Sequence, residues 1–309
     1  MHQRVAVVFC CVVFACAPTP AVPTTIDVAH ATTDEDAGTT VGTATSVDAG
    51  RGRCAFSDVG PLPEVLNELS GLAVGRLHTD VIYAHNDSGD SARFFALSKT
   101  DAHLLAEFKV GNASAVDWED IAVGPCATFQ ASACVYLADI GDNNAKRDQV
   151  VIYELIEPEL NAKNLSATAH TFAYPDGAQN AETLLVHPQN GEVYVVSKSF
   201  GGSSKVYNIK LKGQGSTAAL AGSVLLPGGP LALVTGGDIA SDAKHVALRT
   251  YGALYEYAWP LVAGATPAEL QGPTESQGEA VAYSPDGATL YTASEGKKQA
   301  LHATRCIRP

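Results

Sequence analysis

The chain has 309 residues, of which 46% are apolar and 17% are charged, a composition typical of a globular protein. This length allows one large domain or two of ordinary size. The formal net charge is −13, and only 20 residues are lysine or arginine. Because binding to a nucleic-acid backbone requires clustered basic residues, the charge excludes nucleic acid as a partner. It favours cations such as calcium.

Residues 1–16 have the features of a signal peptide. A short segment with one positive charge precedes an apolar run at residues 5–15. The run is too short for a transmembrane helix, which needs about 20 residues, but it suits the core of a signal peptide. It ends in Val13-Phe14-Ala15-Cys16, which resembles the lipobox of bacterial lipoproteins. We expect lipidation at Cys16; the alternative is cleavage after Ala17.

Residues 17–52 are predicted to be a disordered linker. The segment is rich in alanine and threonine and contains no aromatic residue. Such a composition cannot bury enough apolar surface to offset the entropy of ordering. We therefore expect a folded domain at residues 53–309 in an exported monomer. It is either a lipoprotein of the cell envelope or outer surface, with the lipid as its only membrane attachment, or a periplasmic or extracellular protein.

Four cysteines fall in the predicted folded domain. An even number in an exported domain indicates two disulfides. Cys126 and Cys134 are close in sequence and are expected to close a local loop, which leaves Cys54 to pair with Cys306. A zinc site is the alternative, but neither a CxxC pair nor suitably spaced histidines accompany these cysteines.

The folded domain contains one sequence pattern that is repeated five times. Each repeat begins with a small or acidic residue and an apolar strand, followed by a turn and a second strand. Such repeats are typical of a β-propeller, in which each blade is a four-stranded sheet. The first strands are predicted at 70–74, 119–123, 182–186, 237–240 and 279–282, and the second strands at 81–85, 135–139, 193–198, 245–249 and 289–294. Third strands are predicted at 93–98, 150–155, 205–210, 253–259 and 300–306, and fourth strands at 104–110, 168–174, 218–226 and 268–272.

The fifth repeat ends after its third strand, at Cys306. The missing strand is predicted at residues 54–59, at the start of the domain. Such a strand closes the ring and brings Cys54 beside Cys306, so the strand count and the cysteine count agree. The all-β domain is thus predicted to have five blades of about 51 residues each. A sixth blade would require one further, degenerate repeat.

Acidic residues recur at the start of the innermost strands, which line the channel of a propeller. The alignment of the repeats places one residue of each repeat at the same level of the channel: Ser70, Glu119, Glu182, Gly237 and Glu279. Asp120 and Asp238 follow one residue further along. Three glutamates in a partly desolvated channel repel one another unless a cation or protonation offsets their charge. Oxygen ligands suit a hard ion. We therefore predict a calcium site with the ligands Ser70, Glu119, Glu182, Glu279 and Asp238; the alternative is a water-filled channel lined by solvated strand ends.

A second group of charged residues lies at the ends of the second strands. The loops that follow Asn86 and Ala138 share the pattern Asp-x-Gly-Asp, and the equivalent positions in later blades hold Lys198, Arg249 and Glu295. Asp87 or Asp139 is expected to orient a water molecule. The cations expected to bind a small anionic ligand such as phosphate are Lys198, Arg249 and Arg147. The alternative is a set of surface ion pairs and Asx turns.

Four segments resemble those of exported bacterial β-propeller proteins, most of which are uncharacterised: DWEDIA at 117–122, DIGDN at 139–143, AE at 181–182 and QGEA at 277–280. This resemblance covers residues 70–296 and implies the fold and export, but no activity. The channel arrangement is also similar to that of calcium-dependent apyrases, five-bladed propellers that hold one calcium on the axis. That similarity implies as ligands Ser70, Glu119, Glu182 and Glu279. The fourth blade departs from it and offers Gly237, with Thr235 or Asp238 nearby.

These features support three hypotheses about function. The first is a calcium-dependent hydrolase of phosphate esters or anhydrides. The second is a non-catalytic, calcium-stabilised propeller that binds a protein or an envelope glycan. The third is a glycoside hydrolase, because several five-bladed families use channel carboxylates for that reaction. Few aromatic residues lie near the predicted rim to stack against sugars, which disfavours the third hypothesis.

Overall fold

The computed structural model describes residues 53–211 and 213–307. The predicted signal peptide, lipobox and linker lie outside the described residues. The described part consists of β-strands and one 3-10 turn, Gly229–Leu231, and none of its helices is long and apolar enough to cross a membrane. The strands, in chain order, are β1 (Arg53–Pro61), β2 (Leu69–Val74), β3 (Val81–Asn86), β4 (Arg93–Ser98), β5 (Leu104–Val110), β6 (Trp118–Gly124), β7 (Cys134–Asp139), β8 (Val150–Ile156), β9 (Asn164–Leu165), β10 (Thr168–Ala173), β11 (Ala181–Val186), β12 (Val193–Ser197), β13 (Ser203–Ile209), β14 (Ser216–Thr217), β15 (Ala219–Leu225), β16 (Val234–Ile239), β17 (His245–Thr250), β18 (Leu254–Ala258), β19 (Ala268–Leu270), β20 (Gly278–Tyr283), β21 (Thr289–Ser294) and β22 (Ala300–Ile307).

The strands form five sheets, which are the blades of a five-bladed β-propeller. Blade 1 is β2-β3-β4-β5-β9, blade 2 is β6-β7-β8-β10-β14, blade 3 is β11-β12-β13-β15, blade 4 is β16-β17-β18-β19, and blade 5 is β20-β21-β22-β1. The innermost strands β2, β6, β11, β16 and β20 contact one another in this order, and β20 contacts β2. The predicted all-β propeller of five blades is confirmed.

The sequence explains why the innermost strands can pack closely around the channel axis. Every residue of β2, β11 and β20 is buried, whereas the outermost strand β15 is largely exposed. Strands buried on both faces are expected to be continuously apolar or small rather than alternating. Close approach also requires glycine, because a Cβ atom at Gly236 would overlap the backbone of Glu279 in the next blade.

The hydrophobic core is divided into five layers, one between each pair of neighbouring blades. Between blades 1 and 2, Phe94 and Phe108 pack in the same layer as Trp118 and Tyr153. The Trp118 indole is 1% exposed and donates a hydrogen bond to the Ser114 carbonyl at 2.9 Å. Trp118 therefore packs between blades. The blades pack face to face, so each channel-lining strand is held from both sides.

Blade 5 contains the two ends of the described chain. β1 pairs antiparallel with β22, and the register places Cys54 opposite Cys306. These cysteines form a disulfide, and Cys126 forms a second one with Cys134. The predicted ring closure and both predicted disulfides are confirmed.

Two short strands were not predicted from the sequence. β9 pairs in parallel with β5, and β14 pairs in parallel with β10, so a loop of one blade extends the edge of the preceding blade. Unpaired strand edges invite association with other chains, and these loops cover two of them. A two-residue strand has too few residues to show an alternating pattern, which is why the sequence did not predict either one.

Candidate metal centre

Each innermost strand carries one β-bulge near its start, at the end of the channel that we call the acidic mouth. The pairing with the second strand shifts at a single residue in every blade, and these residues are Ser70, Glu119, Glu182, Thr235 and Glu279. A bulge turns one side chain away from the ordinary alternation of a strand. We call these five residues the channel ring.

The fourth member of the channel ring differs from the predicted one. The sequence alignment placed Gly237 there, but the shift in pairing falls between Val234 and Gly236, which makes Thr235 the equivalent residue. The nearest following acidic residue in blade 4 is Asp238, and aligning it with Asp120 displaced the predicted position by two residues. Ser70 and Thr235 donate hydrogen bonds to the carbonyls of Glu119 and Gly278 at 2.7 and 2.8 Å. Both hydroxyls thus link neighbouring blades.

The three glutamates of the channel ring are buried and close enough to perturb one another. Burial and then the charge of Glu182 raise the pKa of Glu119 well above its usual range. The same two causes raise the pKa of Glu279 to about 8. Glu279 Oε2 is also buried without a hydrogen-bond partner among the described residues. The ring therefore concentrates three carboxyl groups, of which Glu182 pairs with Lys198 and the other two have no salt-bridge partner among the described residues.

Three carboxylates converge beside the channel ring. Asp87, Asp117 and Glu119 each place one oxygen so that the three atoms lie within 4.8 Å of one another. Burial raises the pKa of Asp87 to about 6, with further contributions from Asp117 and Glu182. Burial and Glu182 also raise the pKa of Asp117. Because Asp87 belongs to blade 1 and the other two to blade 2, the cluster spans the boundary between these blades.

Glycine is required where this cluster is tightest. A Cβ atom at Gly141 would overlap Glu119 Oε1 and lie 2.5 Å from Asp117 Oδ2. The loop after β7 can therefore pass against both carboxylates only because residue 141 has no side chain. Arg147 fixes this loop by donating to the Gly141 carbonyl at 2.8 Å.

A second set of residues surrounds the acidic mouth, one position beyond the paired ends of the second strands. The strand register makes equivalent the residues Asp87, Ile140, Lys198, Tyr251 and Glu295. Lys198 Nζ lies 2.9 Å from Glu182 Oε1 and 4.9 Å from the centre of the Tyr251 ring. Burial alone would lower the pKa of Lys198, but Glu182 and Tyr251 raise it, so its charge is retained. Tyr251 was not predicted, because the sequence alignment of blade 4 was displaced by two residues.

The predicted roles of Asp139 and Arg147 do not fit their positions. Asp139 is fully buried, and Arg147 Nη2 lies 2.8 Å from its Oδ1. Asp139 also accepts hydrogen bonds from the backbone N–H groups of Val116 and Asp117, both at 3.2 Å. The equivalent Asn86 accepts a bond from the Glu68 N–H in the same way. Asp139 and Arg147 therefore hold the loop that carries Asp117, with the Asp139 carboxylate buried and the Arg147 side chain 20% exposed.

Arg249 is likewise engaged in the fold. Its Nη2 lies 2.8 Å from Glu275 Oε2, and both side chains are nearly inaccessible to solvent. Its other nitrogen atoms donate to the carbonyls of Thr250 and Ala280. Of the three predicted cations, Lys198 is the one that pairs with a channel glutamate, whereas Arg147 lies near Asp117 and partly offsets the rise that burial causes in the pKa of that carboxyl.

Asp120 and Asp238 lie away from the three-carboxylate cluster. Asp120 accepts hydrogen bonds from the backbone N–H groups of Ile121 and Leu184, both at 2.8 Å, and so joins blade 2 to blade 3. Asp238 accepts a bond from the Tyr283 N–H at 2.8 Å and lines a cavity at the far ends of the innermost strands. The predicted metal ligand Asp238 is therefore separated from the predicted ligands Glu119, Glu182 and Glu279.

Sequence reasoning missed Asp117 as a possible ligand, although the repeats contain a signal for it. In three blades, the residue two positions before the channel glutamate is polar: Asp117, Asn180 and Gln277. Asn180 and Gln277 donate to Glu182 Oε1 and Glu279 Oε1 at 3.3 and 3.4 Å. Alternate residues of an extended chain share a face, so this spacing would have predicted a second polar layer above the channel ring.

Comparisons with known proteins support the fold alone. No protein-family model and no curated protein sequence matches this chain. The PQQ-bound form of aldose sugar dehydrogenase from Streptomyces coelicolor is similar with a TM-score of 0.51 and 11% identity, over 84% of this chain and 100% of that chain. A chain of a mitotic checkpoint complex has a TM-score of 0.41 and 13% identity, over 77% of this chain and 61% of its own. The first similarity supports a β-propeller, and the pairing of the strands defines it as five-bladed.

Proposed function

We propose that this protein is an exported calcium-binding β-propeller that holds Ca²⁺ at the acidic mouth through Asp87, Asp117 and Glu119. The observation that carries the proposal is the convergence of three carboxylate oxygens within 4.8 Å of one another. Because Ca–O distances are about 2.3–2.6 Å, two oxygens on one ion lie at most about 5 Å apart. One calcium ion therefore fits these three carboxylates without a large rearrangement.

Further oxygen ligands are available from the neighbouring blades. Glu182 lies close enough to raise the pKa of Glu119, and Glu279 Oε2 is a buried acceptor without a hydrogen-bond partner among the described residues, which is energetically unfavourable. Calcium takes six to eight oxygen ligands in flexible geometry, so these glutamates and water can complete the coordination. The resemblance of the channel glutamates to those of calcium-dependent apyrases supports the same metal.

Export to an oxidising compartment is part of the proposal. The disulfides Cys54–Cys306 and Cys126–Cys134 support it, because such bonds persist outside the reducing cytosol. Calcium is abundant in extracellular settings, where binding constants as weak as about 10⁻⁴–10⁻³ M suffice. Attachment through a lipid at Cys16 belongs to the same proposal and is tested by mass spectrometry of the mature N-terminus.

Isothermal titration calorimetry of the chelator-treated protein with CaCl₂ tests the metal site. We expect one Ca²⁺ per chain for the wild type and at least a tenfold loss of affinity for Glu119→Gln, which keeps the shape of the side chain but removes a charged ligand. Glu192→Gln is the matched control, because Glu192 is exposed on the hairpin between β11 and β12. No heat of binding for the wild type, or equal affinities for the two variants, would contradict the proposal.

Hydrolysis of a phosphate ester or anhydride is a second candidate function. Lys198 favours it, because its ammonium group lies at the same mouth as the carboxylate cluster and would attract an anionic substrate. A bound metal would polarise the phosphoryl oxygens, Lys198 would stabilise their charge, and Asp87, which is partly exposed, would orient water.

A panel of nucleotides, phytate and aryl phosphates, assayed with added calcium, distinguishes catalysis from binding alone. If the protein is a hydrolase, we expect calcium-dependent release of phosphate and a loss of about 10²-fold or more in kcat for Lys198→Met. Absence of turnover on the whole panel, together with calcium binding, would instead support a non-catalytic propeller that recognises an envelope protein or glycan.

A further inference from the structure

The cavity that Asp238 lines is at the end of the channel where the innermost strands finish, which we call the opposite mouth. Its volume is about 320 Å³. Each blade contributes one apolar side chain to its wall, and these residues are Val74, Val123, Val186, Ile239 and Tyr283. The cavity is thus a cup at the other end of the innermost strands from the carboxylate cluster, and its wall combines these apolar side chains with the polar side chains of Gln189, Ser241 and Ser284.

Two residues of opposite charge also line this cup, Asp238 and Arg76. No other charged residue is among the described residues that line it. Asp238 is partly exposed, whereas Asp120, which plays a similar part between blades 2 and 3, is 2% exposed. The Asp238 carboxyl accepts the Tyr283 N–H bond, and burial raises its pKa to about 7, so a cationic group bound in the cup would stabilise its charged form.

Arg76 lies at the edge of the cup, and only part of its guanidinium group is engaged by the protein. Its Nη1 donates to the Pro188 carbonyl at 2.8 Å, and its backbone N–H donates to Glu157 Oε2 at 3.2 Å. These two bonds fix the loop and one side of the guanidinium. The remaining guanidinium N–H groups have no hydrogen-bond partner among the described residues, so they are available to an anionic group of a ligand.

We infer that the opposite mouth binds a small zwitterion with an apolar body, of the class of free apolar α-amino acids. In this site the ligand ammonium pairs with Asp238, its carboxylate pairs with Arg76, and its side chain lies against the apolar wall. A volume of about 320 Å³ is at the lower end of the roughly 300–1,000 Å³ of ligand pockets, which suits a small ligand. The one carboxylate and one guanidinium on the wall match the two charges of such a ligand.

Calorimetry with three related probes tests the inference. L-leucine carries both charges, isoamylamine lacks the carboxylate, and 4-methylpentanoate lacks the ammonium group. We expect the purified wild-type protein to bind leucine and to bind each of the other two at least tenfold more weakly, the effect of losing one charge-assisted hydrogen bond. The titrations are run in EDTA, so failure here is distinct from failure of the calcium proposal.

Two variants assign the contacts to residues. Arg76→Gln is expected to weaken leucine binding at least tenfold, and the exposed Arg305→Gln is the control that leaves it unchanged. Asp238→Asn is expected to abolish the preference for leucine over 4-methylpentanoate. If the loss of the Asp238 carboxylate prevents folding, the Arg76→Gln variant still tests whether the cup binds the ligand carboxylate. No binding of leucine to the wild type, equal binding of the three probes, or no effect of Arg76→Gln would overturn the inference.

Discussion

The three channel glutamates differ in their immediate partners. Glu119 faces the carboxylates of Asp87 and Asp117, Glu182 pairs with the Lys198 ammonium, and Glu279 has one amide donor, from Gln277. Repulsion is therefore greatest at Glu119, and an incoming cation would gain most there. Because Lys198 already neutralises Glu182, the remaining carboxylates determine whether the mouth binds a metal.

Glu279 should make the stability of the calcium-free protein depend on pH. Burial and Glu182 raise its pKa to about 8, whereas the pKa of an unfolded glutamate is about 4.3. Between these values the folded state binds more protons than the unfolded state, so the free energy of unfolding falls as pH rises through this range. We expect Glu279→Gln to reduce this fall and to raise the Tm at pH 8 by about 2–4 °C, or about 1 kcal/mol.

Thermal denaturation in EDTA, followed by circular dichroism from pH 5 to pH 8, provides this measurement. The exposed Glu192→Gln serves as the control and should follow the wild type. Added calcium should stabilise the wild type at pH 8 and have less effect on Glu279→Gln. A lower Tm for Glu279→Gln than for the wild type at pH 8 would mean that the carboxylate stabilises the fold in its charged form.

Bulges and a glycine loop are the elements that shape the acidic mouth. The bulge in β6 directs Glu119, and the loop after β7 passes close to it at Gly141. The bulged residue is itself a proposed ligand and the glycine is not, yet both features decide whether ligands from different strands can meet. Substitutions in these elements should therefore alter metal binding more than they alter overall stability.

Gly141→Ala tests this dependence. Its Cβ would overlap Glu119 Oε1, so the carboxylates must separate. We expect calcium affinity to fall at least tenfold, with a loss of about 1–3 kcal/mol in stability from overpacking. Gly252→Ala is the matched control, because nothing lies within 4 Å of a Cβ there, and its effect should be within about 0.5 kcal/mol. Unchanged calorimetric affinity in Gly141→Ala would contradict this account of the loop.

Strand positions were predictable from the sequence, but the register at the mouth was not. Apolar runs separated by turn residues were enough to locate four strands in every blade, but not the two-residue strands β9 and β14. The sequence grouped Asp139 with Asp87 and Arg249 with Lys198, whereas the strand pairing groups Asp139 with Asn86 and places Tyr251 with Lys198. One bulged residue changes which side chain enters the channel, and no local pattern marks a bulge when blade 4 has threonine in place of glutamate.

The propeller as a whole depends on closing a ring of five blades. Its core is shared between neighbouring blades, so no blade buries both faces alone. The closure was predictable because two independent counts, of cysteines and of strands, required residues 54 and 306 to meet. The side-chain pairs Asp139–Arg147 and Arg249–Glu275 were not predictable, because each joins a strand residue to a loop whose path depends on the finished ring.

Removing the closing disulfide should destabilise the protein more than removing the local one. Cys54 and Cys306 are 252 residues apart in sequence, and Cys126 and Cys134 are 8 apart. Loop-closure entropy then gives about 5 kcal/mol for the first bond and about 2–3 kcal/mol for the second. Urea denaturation of the two double Cys→Ala variants checks this order. Equal losses would indicate that the unfolded chain keeps its ends together by other means.

The most direct test of the central claim is diffraction from crystals grown with CaCl₂, with data collected at a wavelength where calcium scatters anomalously. We predict one anomalous peak at the acidic mouth, about 2.3–2.6 Å from carboxylate oxygens of Asp87, Asp117 and Glu119. An acidic mouth without a peak, with these three carboxylates turned away from one another into solvent, would contradict the account.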